Sequence, residues 1–464
     1  MGFTLKNNVL YSCLIIFILY FLIVLRTLEG GDKVFLQTSI ILLVMVIVFV
    51  LALQLFKMSP ELSMILSAFA GALTAGFGIP VRHIVEGTFT YLDIILTIVT
   101  ATIFMNILEE SKAMSYIVKS IVVKFYKQRL VLLILLMLVL LLPGALTGAG
   151  SASVLISGGI VAMVFHAMGI PMVNVTAIVF LGAALSVVAP PINIYAMIIC
   201  GGVNMPYIGF FAPLLIPVLV LAFFTVIYLG WKGTPLELDA IIEKLPPVPA
   251  EMSGFKVYFP FVVLALLMVA TRLLPHALPI LGVPLIFIIS SVVALLMVFL
   301  SGQKVNILFI SKRTVKQLFP LIATLVAVGI FVQILTLTGV RGLFVITVLS
   351  LPIWLVYIGL SFVLPFGEAI LLYGIAAVLG VPLIFLFNSL NLNPIIATVG
   401  IILICPLGDA LPPTRIIGRL TVETVGYKES YTSFLQKCMV PWIVITVVGI
   451  CMVIFANSFK FLLI

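Results

Sequence analysis

Charge is scarce in this sequence: only 8% of its 464 residues are Asp, Glu, Lys or Arg, while 64% are hydrophobic and the mean hydropathy is +1.41. A chain so short of charge cannot cover a soluble core with polar surface, which excludes a soluble globular protein and leaves lipid as its solvent. Histidine is also rare, and His83, His166 and His276 lie far apart, so nothing supports a metal site or a histidine-based enzyme. The five cysteines, Cys13, Cys200, Cys405, Cys438 and Cys451, have no CxxC spacing and fall in or beside apolar stretches. They read as small core residues rather than disulfides or metal ligands. There is no nucleophile–base pair, no phosphate loop and no organic-cofactor motif, hence no sign of an enzyme. The net charge of +9 sits in short Lys/Arg clusters between apolar spans, the habit of cytoplasmic membrane loops, so nucleic acid is not an expected partner.

What the sequence does have is apolar runs of about 17 to 22 residues, the length of membrane helices and not of alternating barrel strands. The fold class is therefore all-α and polytopic. Hydropathy against charge places spans near 8–25, 38–56, 62–78, 90–108, 171–203, 207–230, 258–274, 279–300, 318–338, 394–426 and 437–456. The first runs from Asn8 to Leu25 and is followed by RTLEGGDK instead of a small-residue cleavage pattern, so it reads as a retained helix.

Two further stretches, 129–166 and 352–390, are interrupted by LPGALTGAGSAS and LPFGEA. Halves of about 13 residues rise only about 20 Å as helix, short of the roughly 30 Å hydrocarbon core. This predicts two re-entrant hairpins whose tips face the protein interior or a water-filled cavity. With eleven crossings and a cytoplasmic N-terminus, the 24 Lys and Arg residues divide eighteen inside to six outside. That bias fits a bacterial inner-membrane protein with a periplasmic C-terminus, and counting either hairpin as one crossing would scatter the basic loops over both sides.

An internal repeat organises these elements. Pro143 in the first interruption precedes Pro190-Pro191 by 47 residues, and Pro365 in the second precedes Pro412-Pro413 by the same 47, so the two sets are offset by 222. That offset also carries four other spans onto spans read independently, and Gly158 onto Gly380. Five crossings per unit make the second copy enter from the opposite side, the inverted-repeat plan of many secondary transporters. The expected units are residues 1–35 as an extra helix, 36–232 as the first copy, 233–257 as a cytoplasmic linker and 258–464 as the second copy. The stretches Glu110 to Gln128 and Arg341 to Leu351 precede the hairpins and suit helices lying in the interface, or ordinary amphipathic loop helices.

In SVVAPPINIYAMI, Pro190 and Pro191 remove two amide donors from an apolar helix, leaving upstream carbonyls such as that of Ala189 in need of a cation or water. Past the break Asn193 can cap a new helix, whose first amides can face an anion. In the first tip, TGAGSAS, Gly150 lets the chain turn, Ser151 or Ser153 can cap the returning helix, and Thr147 adds a hydroxyl. The second copy offers Gly367-Glu368 at its tip and GDALPPTRI at its break, with Gly408, Asp409, Pro412, Thr414 and Arg415. Intramembrane ionisable groups are functional candidates by default, so Glu368, Asp409 and Arg415 stand out, with Asp93 nearer a span end. The bland alternatives are snorkelling for Arg415 and Arg419 and a paired or neutral packing role for the two acids.

The segments GAGSAS, APPINI, FGEA and LPPTRI resemble those of the ion-transporter superfamily, in particular the large membrane subunit of tripartite ATP-independent periplasmic (TRAP) transporters, over residues 36–464. The resemblance implies an elevator in which hairpins and broken helices carry a carboxylate-bearing solute and sodium past a scaffold. It further implies positions for substrate or sodium at Ser151, Ser153, Asn193, Glu368, Asp409 and Thr414, and partners such as a small membrane subunit and a periplasmic binding protein. The expectation is sodium-coupled uptake of a small organic anion, a carboxylate or dicarboxylate. Thr147, Ser151, Ser153, Asn193, Thr414 and Arg415 would hold the substrate. Gly150, Ala189, Pro190, Glu368, Gly408, Asp409 and Pro412 would hold the cation. Two rivals are a sodium/proton antiporter exchanging on Asp409 and Glu368, and a non-transporting membrane subunit of a larger complex. A scaffold with no visible small subunit could also dimerise.

Overall fold

A computed structural model describes residues 33–233, 238–243, 245–249, 251–274 and 281–463. The expected span at 8–25, Cys13, His276 and parts of the linker lie outside the described residues. The described chain is helical throughout, and ten of its helices are long and apolar enough to cross a membrane.

The first copy runs α1 (Lys33–Gln54), α2 (Pro60–Thr74), α3 (Val81–Phe89), α4 (Leu92–Glu110), α5 (Ala113–Phe125), α6 (Arg129–Thr147), α7 (Gly150–Ala167), α8 (Met172–Val188), α9 (Ile194–Val203) and α10 (Phe211–Gly230). After a short linker helix α11 (Leu238–Ile242), the second runs α12 (Gly254–Leu273), α13 (Val283–Leu300), α14 (Ile307–Leu337), α15 (Val340–Ser350), α16 (Ile353–Leu371), α17 (Ala376–Ser389), α18 (Pro394–Ala410), α19 (Ile416–Val425) and α20 (Tyr431–Ile454). Capping fixes several starts: Ser59 accepts from the Leu62 amide with Pro60 in the first turn, and Asn306 and Asn393 accept from Phe309 and Ile396.

The offset of 222 recurs in the bounds of the helices. The returning helix of each hairpin resumes regular winding at Gly159–Ala167 and Val381–Ser389, and the second halves of the broken helices are Ile194–Val203 and Ile416–Val425, each pair 222 apart at both ends. Each returning arm begins with a wider, π-helical turn, Ser153–Gly158 and Ala376–Gly380. The peptide bonds Pro190-Pro191 and Pro412-Pro413 are both cis.

Three expectations need correction. The hairpin arms are not 13-residue halves: α6 has 19 residues and α7 has 18, because Pro143 and Pro365 sit inside α6 and α16 without ending them. Arm length therefore does not argue for re-entry, and the tips fall later, at Gly148 and at Leu372 to Gly374. Second, α14 starts eleven residues, about three turns, before the span read at 318–338, since ISKRTVKQ is charged yet periodic and Asn306 caps the helix. Third, the stretch between the spans read at 62–78 and 90–108 holds a helix of its own, α3. Its nine residues carry Arg82, His83 and Glu86, and it is held by packing, with Gly87 so close to α14 that a Cβ there would lie 2.6 Å from the Ile330 Cα.

The helices sort into an outer group, in which α1 packs on α2, α14 on α2 and α3, and α12 and α4 on α13, and an inner group built on α8 and α18. Every residue from Val175 to Val188 and from Ile396 to Ala410 is buried, so the two broken helices are the centre of the molecule. Glycine permits the closest contact there: Gly400 of α18 and Gly449 of α20 face each other, and a Cβ on either would press on the other's carbonyl oxygen at 2.5–2.7 Å.

Side-chain neighbours give the direction of each piece. Ile417, at the start of α19, lies against Gly150 at the first tip, and Thr424, near its end, lies against Gly159, so α19 runs away from the tip beside α7. Likewise Tyr195, at the start of α9, stacks on Tyr373 at the second tip, and Gly202, near its end, lies against Val381 of α17. Each broken helix thus begins at the base of one hairpin and finishes alongside the other. The two hairpins open in opposite directions and meet tip to tip, where the Tyr373 hydroxyl donates to the Gly148 carbonyl at 3.2 Å.

Candidate functional site

The junction of the two tips and the two helix breaks holds nearly all the residues singled out by sequence. On the first-copy side, Gly148 closes α6 in the left-handed region, φ 71°, a conformation suited to glycine, and its Cα faces Ile194 and Ile192 beyond the break. The Ile192 amide donates to the Ala145 carbonyl at 3.2 Å, tying break to tip. Asn193 caps α9 as expected, accepting from the Ala196 amide at 2.9 Å, and its own amide donates to the Val188 carbonyl across the break.

Neither Ser151 nor Ser153 caps the returning helix. The Ser153 hydroxyl instead accepts from the Gly144 amide at 2.8 Å and donates to Ser186 at 2.9 Å, which in turn donates to the Ala183 carbonyl, sewing the hairpin to α8. Thr147 donates to the Pro143 carbonyl and accepts from the Ala149 amide, so its hydroxyl is also engaged within the tip. Ser151 is half-buried and hydrogen-bonded to no described residue. The carbonyls of Ala189, Pro190 and Pro412 accept from no described donor, and neither the Ile194 nor the Tyr195 amide finds an acceptor among the described residues.

On the second-copy side, Glu368 is fully buried at the end of α16. Its Oε1 accepts from the Tyr195 hydroxyl at 2.6 Å, whereas Oε2 has no partner among the described residues. Asp409 is 4% exposed, and its side chain forms no hydrogen bond or ion pair with a described residue. Gly408 makes this possible. A side chain there would overlap the Pro365 carbonyl oxygen and reach 2.8 Å from the Glu368 Cβ, so only glycine lets α16 approach the break. Thr414 donates to the Ala369 carbonyl at 3.0 Å, again joining break to hairpin.

Arg415 holds the left-handed conformation at the start of α19, φ 50°, with its guanidinium 5.0 Å from the Tyr431 ring centroid and its Nε buried without a partner. Tyr431 itself donates to the Ala410 carbonyl at 2.8 Å. The cation–π contact with Tyr431 holds the half-buried Arg415 side chain against α20. Asp93 lies in the first turn of α4, away from the junction.

Tyr195, Tyr373, Ser186 and Tyr431 belong to this junction and were not singled out by sequence. A signal existed for two of them: Tyr195 and Ser186 both stand in SVVAPPINIYAMI. For a third, the offset of 222 sets Tyr373 over Ser151. The same offset sets Arg415 over Asn193, so the two helix starts are equivalent in place and different in charge.

Because the Tyr195 hydroxyl is the one protein donor to a buried carboxyl, Tyr195→Phe should lower stability by about 1–3 kcal/mol, the cost of leaving a buried polar group unsatisfied. Phenylalanine keeps the ring stack on Tyr373, with centroids 4.7 Å apart, so a chemical-denaturation midpoint unchanged from wild type would show that the bond contributes nothing.

No family model matches the sequence, and no curated protein matches it. Among solved structures the fold is similar to the crystal structure of the Alcanivorax borkumensis YdaH transporter, described as having an unusual topology, with a TM-score of 0.57 and 15% identity over 81% of this chain and 88% of that one. The likeness is one of fold, and it places the chain among all-α, multi-pass membrane architectures.

Proposed function

We propose that this protein is a secondary active transporter of the bacterial inner membrane that takes up a small organic anion, a carboxylate or dicarboxylate, together with sodium. The observation that carries the reading is the pair of buried acids, Glu368 and Asp409, that lie at the junction of the two tips and the two helix breaks without a described cationic partner. Intramembrane acids in such a place mark ion pathways, and an uncompensated buried charge is costly unless a cation joins it. Sodium takes oxygen ligands, and Asp409, the unengaged carbonyls of Ala189, Pro190 and Pro412, and backbone near Gly150 and Gly408 would supply them, with Glu368 beside them. The substrate carboxylate would lie at the first turns of α9 and α19, with Ser151, Arg415 and Thr414 nearest and with Thr147, Ser153 and Asn193 holding the backbone in place.

Hairpins that open to opposite sides and touch at their tips cannot both cross the same bilayer, which supports re-entry of each. The arms α5 and α15 support an elevator. Each leaves its outer helix through a left-handed residue, Lys112 at φ 63° and Gly339 at φ 76°, a sharp joint between outer helices and hairpins. The YdaH structure is itself that of a transporter. The TRAP resemblance adds a small membrane subunit and a periplasmic binding protein as partners, or a homodimer through the outer helices, with the N-terminus cytoplasmic and the C-terminus periplasmic.

A thermal-shift screen tests this reading. Sodium, but not choline, should raise the apparent melting temperature, and one organic acid should raise it further only in sodium, because a ligand of the folded state stabilises by mass action. No shift with sodium and any acid would overturn the proposal and favour a non-transporting subunit. The unpartnered Oε2 of Glu368 favours a second reading, sodium/proton exchange. Vesicles separate the two, since exchange would move sodium on a pH gradient alone with no organic acid present.

A further inference from the structure

The two copies also share a crevice between outer helices and hairpin, and its chemistry differs between them. The first, of about 550 Å³, is bounded by α4, α5, α7 and the end of α19 and is polar, with Glu109, Lys112, Ser115 and His166 in its lining. Its counterpart, of about 270 Å³, lies among α1, α14, α15 and the second hairpin. The offset of 222 relates two lining residues of one to the other: Glu109 becomes Phe331 and Ile156 becomes Val378.

We propose that the second crevice is a binding site for one acyl chain of a bilayer phospholipid. Ser67 is its one hydroxyl, and it donates to the Met45 carbonyl at 2.7 Å, so the side chains of the lining offer a water molecule no free donor and one acceptor at most, short of the two to four partners that a buried water takes. Val46, Phe49 and Phe344 are half-buried, so the crevice opens sideways, and the helices that line it carry exposed apolar side chains: Ile47 and Leu51 on α1, Ile346 on α15, Phe362 and Phe366 on α16. In a multi-pass protein that surface faces hydrocarbon, and the crevice continues it inward. Gly367 and Ile370 form its inner wall on either side of Glu368, so the chain would rest against the back of the second tip. This site stands apart from the choice of coupling ion and substrate.

The test replaces Trp231, Trp354 and Trp442 by Phe and adds either Phe344→Trp in the crevice or the retained, exposed Trp354 as the one reporter. Each protein is reconstituted with phosphatidylcholine carrying brominated chains and then moved into detergent. The crevice reporter should keep most of its emission quenched while Trp354 recovers; equal recovery at both overturns the site. In the same background Val46→Phe, which fills the crevice, should restore the emission, and persistent quenching would place the chain elsewhere. Native mass spectrometry of the unaltered protein should find one retained phospholipid that Val46→Phe loses. Finding none retained also overturns the inference.

Discussion

Asp409→Asn should abolish sodium-driven uptake in proteoliposomes, with an initial rate at least ~100-fold below wild type, the equivalent of about 2.7 kcal/mol of lost sodium affinity. An amide keeps the shape and one carbonyl oxygen of the side chain but removes the full negative charge, which in a buried site is what balances a bound cation. Since Asp409 forms no hydrogen bond with a described residue, the change breaks no protein contact, and the variant should insert and run as a single species in size exclusion. Uptake at the wild-type rate would remove Asp409 from the cation site. Loss of the thermal shift with sodium, alongside an unchanged melting temperature without it, would locate the defect in binding instead of folding.

Gly408→Ala should be nearly as damaging by a different route. Its methyl group would overlap the Pro365 carbonyl oxygen and crowd the Glu368 Cβ, so α16 must retreat from the break in α18. Overpacking of this kind costs about 1–3 kcal/mol, and here the strain falls on the hydrogen bonds that join Glu368 to Tyr195 and Thr414 to Ala369. The expected result is a lower denaturation midpoint together with loss of uptake. Gly201→Ala on α9 is the matched control, because a Cβ there meets nothing within 4 Å and both readouts should stay at wild type. If Gly408→Ala behaves like Gly201→Ala, the close approach of hairpin and break is not needed.

How far the sequence could be read depended on whether the signal was local. The equal spacing of Pro143 and Pro365 from their Pro-Pro pairs is a property of the chain itself, and it revealed the repeat, the broken helices and the Asn193 cap. The prolines misled about the hairpins because a proline inside an apolar helix can be tolerated when neighbours enclose it, and Pro143 and Pro365 are both buried. Hydropathy also missed the charged first turns of α14 and all of α3, which owes its place to Gly87 against Ile330 rather than to its own composition. Within the site, the acids were visible as rare charges in apolar surroundings. The hydrogen bond from Tyr195 to Glu368 was not, since it joins residues 173 apart and depends on two hairpins meeting from opposite sides. The serine network of Ser153 and Ser186 was hidden for the same reason, and Ser153 ties the hairpin to α8 instead of capping the returning helix as the sequence suggested.

The two stretches related by the offset of 222 match in the bounds of their helices and not in their ionisable groups. Glu368 and Asp409 sit over Leu146 and Val187 of the first copy, and Arg415 over Asn193. A pair of identical second halves would crowd four carboxylates and two guanidinium groups into one small space, while a pair of identical first halves would bring none. Joining two unlike halves in a single polypeptide sets the count at two acids and one guanidinium group, a number that no symmetric dimer of either half can reach, since each would hold twice that or none.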